Sequence, residues 1–345
     1  MIRKLIQLLV VALLAAMVAL AVAGWQLKQA LDQPLQLSNE RLLEVVPGDT
    51  PGGLLNRLQA EGVLEGALWL RLYWRFNLPN QALHSGEYRL LPEQRARDLL
   101  GLWQRGEVVQ YSLTLVEGWS FRQVRAALAR QDALEQNLAE LSDKALMEAL
   151  GIPGVSPEGR FFPDTYRYVR GMSDLDLLKQ ASARLDQVLQ EEWEQRAEGL
   201  PYKKPYDALI MASMVEKETG VAAERGQIAG VFVRRLALGM RLQTDPTVIF
   251  GLGERYNGNL TRAHLQAPTP YNTYVINGMP PTPIALAGRE AIHAALHPVE
   301  GRSLYFVARG DGSHVFSDTL EQHNRAVREY QLKRRADYRS SPAAK

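Results

Sequence analysis

The stretch Ala208-Leu209-Ile210-Met211-Ala212-Ser213-Met214-Val215-Glu216-Lys217-Glu218-Thr219 decides how the second half of this chain folds. Its first eight residues carry one polar side chain, Ser213. A helix that is apolar on all sides is buried in a domain core. Two glutamates close it, and carboxylates at the end of a buried helix are costly unless paired, hydrogen-bonded or protonated. A carboxylic acid kept neutral near pH 7 is what a general acid requires. At about 100° per residue, Glu218 stacks over Met211, Met214 and Val215, and Glu216 over Leu209, Ala212 and Ser213. The two are expected to face apart and not to share one cleft. At most one is then catalytic, and they are not a two-carboxylate glycosidase pair. The competing reading makes both of them ion-pair partners of Arg225, Arg234, Arg235 or Arg241.

Two elements downstream give the glutamates a context. Met240-Arg241-Leu242-Gln243-Thr244-Asp245-Pro246 gathers an amide, a hydroxyl and a carboxylate before a proline-fixed turn. That mix suits sugar hydroxyls and N-acetyl groups, and Asp245 is the candidate second carboxylate. An Asx turn in which Asp245 bonds its own backbone is the alternative. Tyr271-Asn272-Thr273-Tyr274 follows, then Gly278-Met279-Pro280-Pro281-Thr282-Pro283. Aromatic faces with an amide grip a pyranose by apolar and polar contacts together. A proline-stiffened loop favours a preorganised site. Gln243, Thr244, Asp245, Tyr271, Asn272 and Tyr274 are therefore the candidate substrate contacts; the alternative for the tyrosine element is a loop that covers the core.

Composition excludes several classes. The 40 basic and 38 acidic residues nearly balance, which gives no reason to expect a nucleic-acid partner. No cysteine is present, which excludes disulfides, thiolate catalysis, cysteine metal sites and a lipidated N-terminal cysteine. His293 and His297 have a helical metal-ligand spacing, but no glutamate adjoins the first and no third ligand is evident. No metal and no cofactor are expected. Neither a Gly-x-Ser-x-Gly element nor a P-loop occurs.

At the N-terminus Arg3 and Lys4 precede an apolar run from Leu5 to Trp25 broken only by Gln7. About 20 apolar residues span a bilayer, and the basic pair places the N-terminus in the cytoplasm. The expectation is a single-pass inner-membrane anchor with the rest of the chain on the periplasmic side. Ala21-Val22-Ala23 keeps a cleaved signal peptide as the alternative, although such apolar cores run about 7–15 residues.

The fold class expected is α+β. A transmembrane helix over 1–25 leads to a stalk over 26–40, then a small α+β module over 41–108. A second α+β module or linker covers 109–206, a mixed α+β catalytic domain 207–334, and a disordered tail 335–345. The two modules form a loose repeat. Thr50 after Val46-Pro47-Gly48-Asp49 and Ser120 after Val116-Glu117-Gly118-Trp119 each stand where a helix N-cap belongs. Residues 41–108 resemble a LysM-like domain, a type that binds N-acetylglucosamine-containing glycans; a spacer that binds nothing is the alternative. Further helices are expected over 228–238, closed by Gly239, and over 290–296 and 319–334, with a hairpin pairing 304–308 with 314–316.

Taken in order behind one N-terminal apolar segment, these motifs resemble the YceG-like endolytic murein transglycosylases. Val215-Glu216-Lys217-Glu218-Thr219, Arg241-Leu242-Gln243-Thr244-Asp245-Pro246-Thr247, Tyr271-Asn272-Thr273-Tyr274 and Gly278-Met279-Pro280-Pro281 carry the likeness, with Val116-Glu117-Gly118 and Phe162-Pro163-Asp164-Thr165. The resemblance implies cleavage within peptidoglycan glycan strands, Glu218 as the catalytic residue, and an active region similar to that of other lytic transglycosylases. It also implies a non-hydrolytic outcome, in which the muramic 6-hydroxyl attacks its own anomeric carbon and leaves a 1,6-anhydro end. One residue acting as acid and then base suffices for that, and work near peptidoglycan synthases is a further implication. The alternatives in view are a muramidase that uses water and a non-catalytic glycan-binding anchor.

Overall fold

A computed structural model describes residues 2–78 and 81–332, so the expected tail at 335–345 and the last two positions of the 319–334 helix lie outside the described residues. The chain divides into two compact units. Residues 1–111, 133–135 and 167–172 form the first; residues 112–132, 136–166 and 173–345 form the second.

The first unit begins with α1, Ile2–Asp32, whose large apolar side chains from Ile2 to Leu20 are exposed. Then come β1 (Arg41–Val45), α2 (Pro51–Ala60), α3 (Ala67–Asn77), β2 (Gly86–Leu90) and α4 (Ala96–Arg105). β1 and β2 pair antiparallel, Leu43 opposite Tyr88, and alternate side chains of β1 point into the core. Thr50 caps α2 by accepting from Gly53 N–H at 3.1 Å, as its position after a glycine turn predicts. The core gathers Leu54, Leu55, Leu58, Leu70, Tyr88 and Trp103. Over the expected stalk, α1 continues to Asp32, and Ala30 and Leu35 are buried in this same core. Helix α3, Ala-Leu-Trp-Leu-Arg-Leu-Tyr-Trp-Arg-Phe-Asn, has no clean period because apolar residues occupy most of its circumference.

Elements that follow are β3 (Tyr111–Thr114), α5 (Phe121–Leu128), β4 (Leu134–Glu135), α6 (Asp143–Ala149), β5 (Thr165–Tyr168) and β6 (Met172–Ser173). Next are α7 (Asp174–Glu194), α8 (Pro205–Glu218), α9 (Arg225–Ala237), α10 (Asp245–Leu252), α11 (Arg262–Gln266) and α12 (Arg289–Leu296). The hairpin β7 (Tyr305–Ala308) and β8 (His314–Ser317) comes within a residue of its expected position, and α13 (Leu320–Val327) follows. α9 closes at Gly239, whose φ of 67° is left-handed, with Met240 N–H returning to Arg235 C=O at 2.8 Å.

Helix α8 is the axis of the second unit. Every residue from Ala208 to Val215 is buried, and the helix packs against α7, α9, α10 and α12. Pro205 opens it at a position where the missing N–H is no loss, and Asp207 accepts from Lys203 and Lys204 N–H. Ser213, its one internal polar residue, donates to Ile210 C=O at 2.7 Å and accepts from Ile284 N–H at 3.0 Å. That pair of bonds ties the proline-rich 280–284 loop to the buried helix.

Candidate active site

Helix α8 stops at Glu218, and Thr219 beyond it is extended at φ −145° and ψ 137°. The last turn therefore opens onto the surface off the helix end. A cleft of about 520 Å³ lies there, bordered by Val116, Gly118 and Trp119 and by Glu216, Lys217 and Glu218. This corrects the expectation that the two glutamates cannot border one cleft. Helical facing separates residues on the side of a cylinder, whereas a cleft that wraps the terminus reaches both faces.

The partners of the two carboxylates differ all the same. Glu216 accepts from Gly288 N–H at 3.0 Å and lies 3.9 Å from the Arg225 guanidinium. Burial raises its pKa, and Glu117 nearby adds to the effect. Glu218 Oε1 accepts from Thr244 Oγ1 at 2.9 Å. Burial pushes the Glu218 carboxyl up to about 7; the Thr244 hydroxyl opposes this, the Asp245 carboxylate reinforces it, and Arg235 opposes it. A protonated Glu218 near neutral pH is thus a consequence of its surroundings.

Thr244 reaches Glu218 because of how its segment is pinned. Gln243 has φ of 52°, the one left-handed non-glycine residue among those described. Its N–H donates to Thr273 C=O at 3.1 Å. On the other side the buried Arg235 guanidinium donates to Leu242 C=O at 2.8 Å and Leu304 C=O at 2.6 Å. Such a backbone conformation persists only where its surroundings over-determine it. Thr244 N–H donates to Thr273 Oγ1 at 3.0 Å, and Thr247 and Thr273 share a hydroxyl hydrogen bond of 2.8 Å. Thr244 is the N-cap residue of α10, yet its side chain caps no helix N–H and its hydroxyl donates to Glu218. A cap ordinarily contributes about 1 kcal/mol.

The remaining sequence candidates divide into two groups. Asp245 is exposed, and its Oδ1 accepts from Tyr274 Oη at 2.7 Å, so it is bonded across the site and not in an Asx turn. Burial, then Asp245, hold the Tyr274 phenol in its protonated form. Gln243 is exposed beside them. Tyr271 shares a hydrogen bond of 2.9 Å with Thr282 and sets its ring against Phe250 at 4.8 Å. Asn272 is fully buried. Its amide nitrogen is shared among the carbonyls of His264, Leu265 and Ala267, and its Oδ1 accepts from Tyr274 N–H. Asn272 holds the loop, and Thr244 orients Glu218; neither has a free face toward the cleft.

Other site residues left little trace in the sequence. A second cleft of about 850 Å³ shares Gly118, Gln123 and Lys217 with the first and is walled by Phe250, Tyr256 and Ile284. Lys217 Nζ donates to Gly118 C=O at 3.2 Å between them. Glu158 lines this second cleft, both its oxygens accepting from Phe121 N–H at 3.1 Å. Burial pushes the Glu158 carboxyl up to about 7. In sequence, Ser156-Pro157-Glu158-Gly159 reads only as a turn. Arg235 was legible only as one of four arginines that could pair with the glutamates; its charge does act on Glu218, but its hydrogen bonds go to the Leu242 and Leu304 carbonyls.

A third ligand atom does approach the histidine pair, since Glu192, His293 and His297 place ligand atoms within 4.8 Å of one another. Those atoms have other partners. Glu192 pairs with Arg289 at 2.8 Å and His293 Nδ1 at 2.8 Å, and His297 Nε2 meets Gln195 C=O at 2.7 Å.

With this geometry in hand, comparison with known proteins defines the class. The YceG-like family model matches residues 43–329, and the chain belongs to that family. An endolytic murein transglycosylase of Bacillus subtilis strain 168 is 32% identical over 241 residues, which are 64% of this chain and 65% of that protein. An endolytic murein transglycosylase of Streptococcus pneumoniae D39 is 26% identical over 308 residues, 79% of this chain but 55% of the relative. The chain thus spans less than two thirds of the length of either relative. The crystal structure of a YceG-like protein from Listeria monocytogenes superposes with a TM-score of 0.55 at 28% identity, over 84% of this chain and 99% of that one.

The raised carboxyl makes a stability prediction. Between pH 4.5 and about 7 folded Glu218 holds a proton that the unfolded chain has released, so stability falls as pH rises through that window. Glu218→Gln removes this loss. Thermal unfolding should show the variant gaining on the parent at pH 8, by on the order of 1–3 kcal/mol, and showing no such gain at pH 4.

Proposed function

We propose that this chain is a membrane-anchored endolytic peptidoglycan lytic transglycosylase, with Glu218 as its single acid–base residue. The observation that carries this reading is a carboxyl raised to about 7, held by Thr244 at the lip of a cleft. Kinship with proteins named endolytic murein transglycosylase supports it.

Protonated Glu218 donates to the glycosidic oxygen between N-acetylmuramic acid and N-acetylglucosamine as the C1–O bond breaks. The resulting carboxylate then takes the proton of the muramic 6-hydroxyl, whose oxygen bonds to C1 and closes the 1,6-anhydro ring. Atoms balance without water, and Glu218 ends protonated for the next turnover. Asp245, held by Tyr274, faces the positive charge that develops at C1. Exposed Gln243 and the half-buried rings of Tyr271 and Tyr274 contact the sugars. Asn272 and Thr244 are positioning residues, and Glu216 secures the Gly288 turn.

The α1 helix, long and apolar enough to cross a bilayer, anchors the chain in the inner membrane with its cytoplasmic end at Arg3 and Lys4. The catalytic residues then lie on the periplasmic side, where glycan strands emerge and peptidoglycan synthases work. The β1–α2–α3–β2 order of the first unit supports a LysM-like glycan-binding role.

Mass spectrometry of glycan strands digested by the full chain should find 1,6-anhydro-muramic ends and no new reducing ends. Reducing ends would mean a muramidase using water. Glu218→Gln should abolish cleavage with folding intact, and Glu216→Gln should retain it; the reverse pattern would reassign the catalytic residue.

The groups around Glu218 give a finer check. Thr244→Val removes the bond that favours the carboxylate, so the alkaline limb of the pH–rate profile should move to higher pH. Asp245→Asn removes the charge that favours the acid, so the limb should move lower, whatever it does to the maximal rate.

A further inference from the structure

Helix α3 has two apolar faces. Ala67, Leu70 and Trp74 are buried in the core of the first unit. At about 100° per residue the opposite side presents Leu68, Leu72 and Phe76, spaced four apart. Leu68 is 58% exposed and Phe76 is 76% exposed, and both belong to a folded helix with a well-packed inner face. Arg71 and Arg75, both exposed, adjoin the stripe. An isolated exposed leucine needs no explanation, but an aligned apolar stripe edged by arginines is a face that an apolar surface with a charged border would cover.

The position of α3 against α1 says which surface. A Cβ on Gly66, just before α3, would lie 3.5 Å from the Ala30 Cβ, and Gln33 Nε2 donates to Glu65 C=O at 2.7 Å. At the other end of α3, Tyr73 and Leu78 line a cavity of about 370 Å³ with Gly24, Leu27 and Lys28. α3 therefore runs antiparallel to the last turns of α1, and its C-terminal end, which carries Phe76, lies toward the apolar part of that helix. Trp25, which follows the cavity-lining Gly24 in sequence, is 56% exposed. Headgroup regions add about 5–8 Å on each side of the hydrocarbon core, and the 11-residue α3 is about 16 Å long.

We propose that the exposed face of α3 docks on the outer leaflet of the same bilayer that α1 spans, with Phe76 and Leu72 in the acyl–headgroup boundary and Leu68 shallower. Arg71, Arg75 and Lys28 meet lipid phosphates, and anionic lipid strengthens the contact. The proposal rests on the anchor reading of α1. Docking fixes the tilt of the first unit on its anchor, which a single helix alone leaves free to swivel.

The natural absence of cysteine allows a direct test. Full-length chain is reconstituted in phosphatidylglycerol-containing vesicles with one environment-sensitive fluorophore at Leu14→Cys, Leu68→Cys, Phe76→Cys or Asn39→Cys. Quenching by lipids spin-labelled near the headgroup and in the acyl chain is then measured. The docked arrangement predicts acyl-chain quenching at Leu14, boundary quenching at Phe76, weaker headgroup quenching at Leu68 and none at Asn39. Arg71→Glu with Arg75→Glu should lower the Phe76 signal and leave the Leu14 signal unchanged. Phe76 unquenched while Leu14 is quenched would overturn the docking and leave the anchor standing. A blue-shifted but unquenched Phe76 label would mean that a second protein copy covers the stripe, and would also overturn it. No quenching at Leu14 would remove the anchor reading and the docking with it.

Discussion

The hydrogen bond from Thr244 to Glu218 joins the two halves of the site, and most of the second unit serves to make it possible. One partner is the last residue of a helix that is buried from Ala208 to Val215. The other opens α10 and gives up its usual capping bond to reach the carboxyl. Burial alone would leave Glu218 a poor anion; the hydroxyl keeps the anion accessible while Asp245 resists it. A group poised between its two forms can both give and take a proton near neutral pH, which is what the proposed acid-then-base role asks of it.

The supports for this bond are themselves buried polar groups, each satisfied. Arg235 spans from α9 to the backbone at Leu242 and Leu304 and stacks over Tyr305 at 5.1 Å. Thr273 links Thr244 and Thr247, and Asn272 folds the loop that carries it. The left-handed Gln243 is the strained point of this frame and lies next to Thr244. Strain placed beside the partner of the Glu218 carboxyl, with rigid backbone on either side, is the arrangement expected of a preorganised site.

Much of this was legible in the sequence, for identifiable reasons. Helix α8 was legible because burial on all sides leaves an apolar run with Ser213 as its one polar residue, and the hairpin because apolar runs flank a turn-rich Gly-Asp-Gly loop. The Gln-Thr-Asp and Tyr-Asn-Thr-Tyr elements were legible as chemistry but not as roles. Nothing in the letters distinguishes an asparagine that contacts a sugar from Asn272, whose amide is used up on three carbonyls. Glu158 was invisible because its importance comes from burial beside residues distant in sequence, and Arg235 was legible as a charge near the glutamates but not as the group that pins the Leu242 and Leu304 backbone. The helical wheel also overreached, since it treats side chains on a cylinder and says nothing about a cleft at the end of one. Helix α3 escaped because its second apolar face erased the period that marks a helix.

Burial, reinforced by the Asp245 carboxylate, makes Glu218 titrate near neutral pH and not in the ordinary carboxylate range. The most direct measurement is an isotope-edited titration of its side-chain carboxyl, using ¹³C-glutamate with Glu218→Gln to identify the resonance. A midpoint near 7, falling when Asp245 is replaced by asparagine, is the predicted result. A midpoint near 4.5, insensitive to Asp245, would contradict the account.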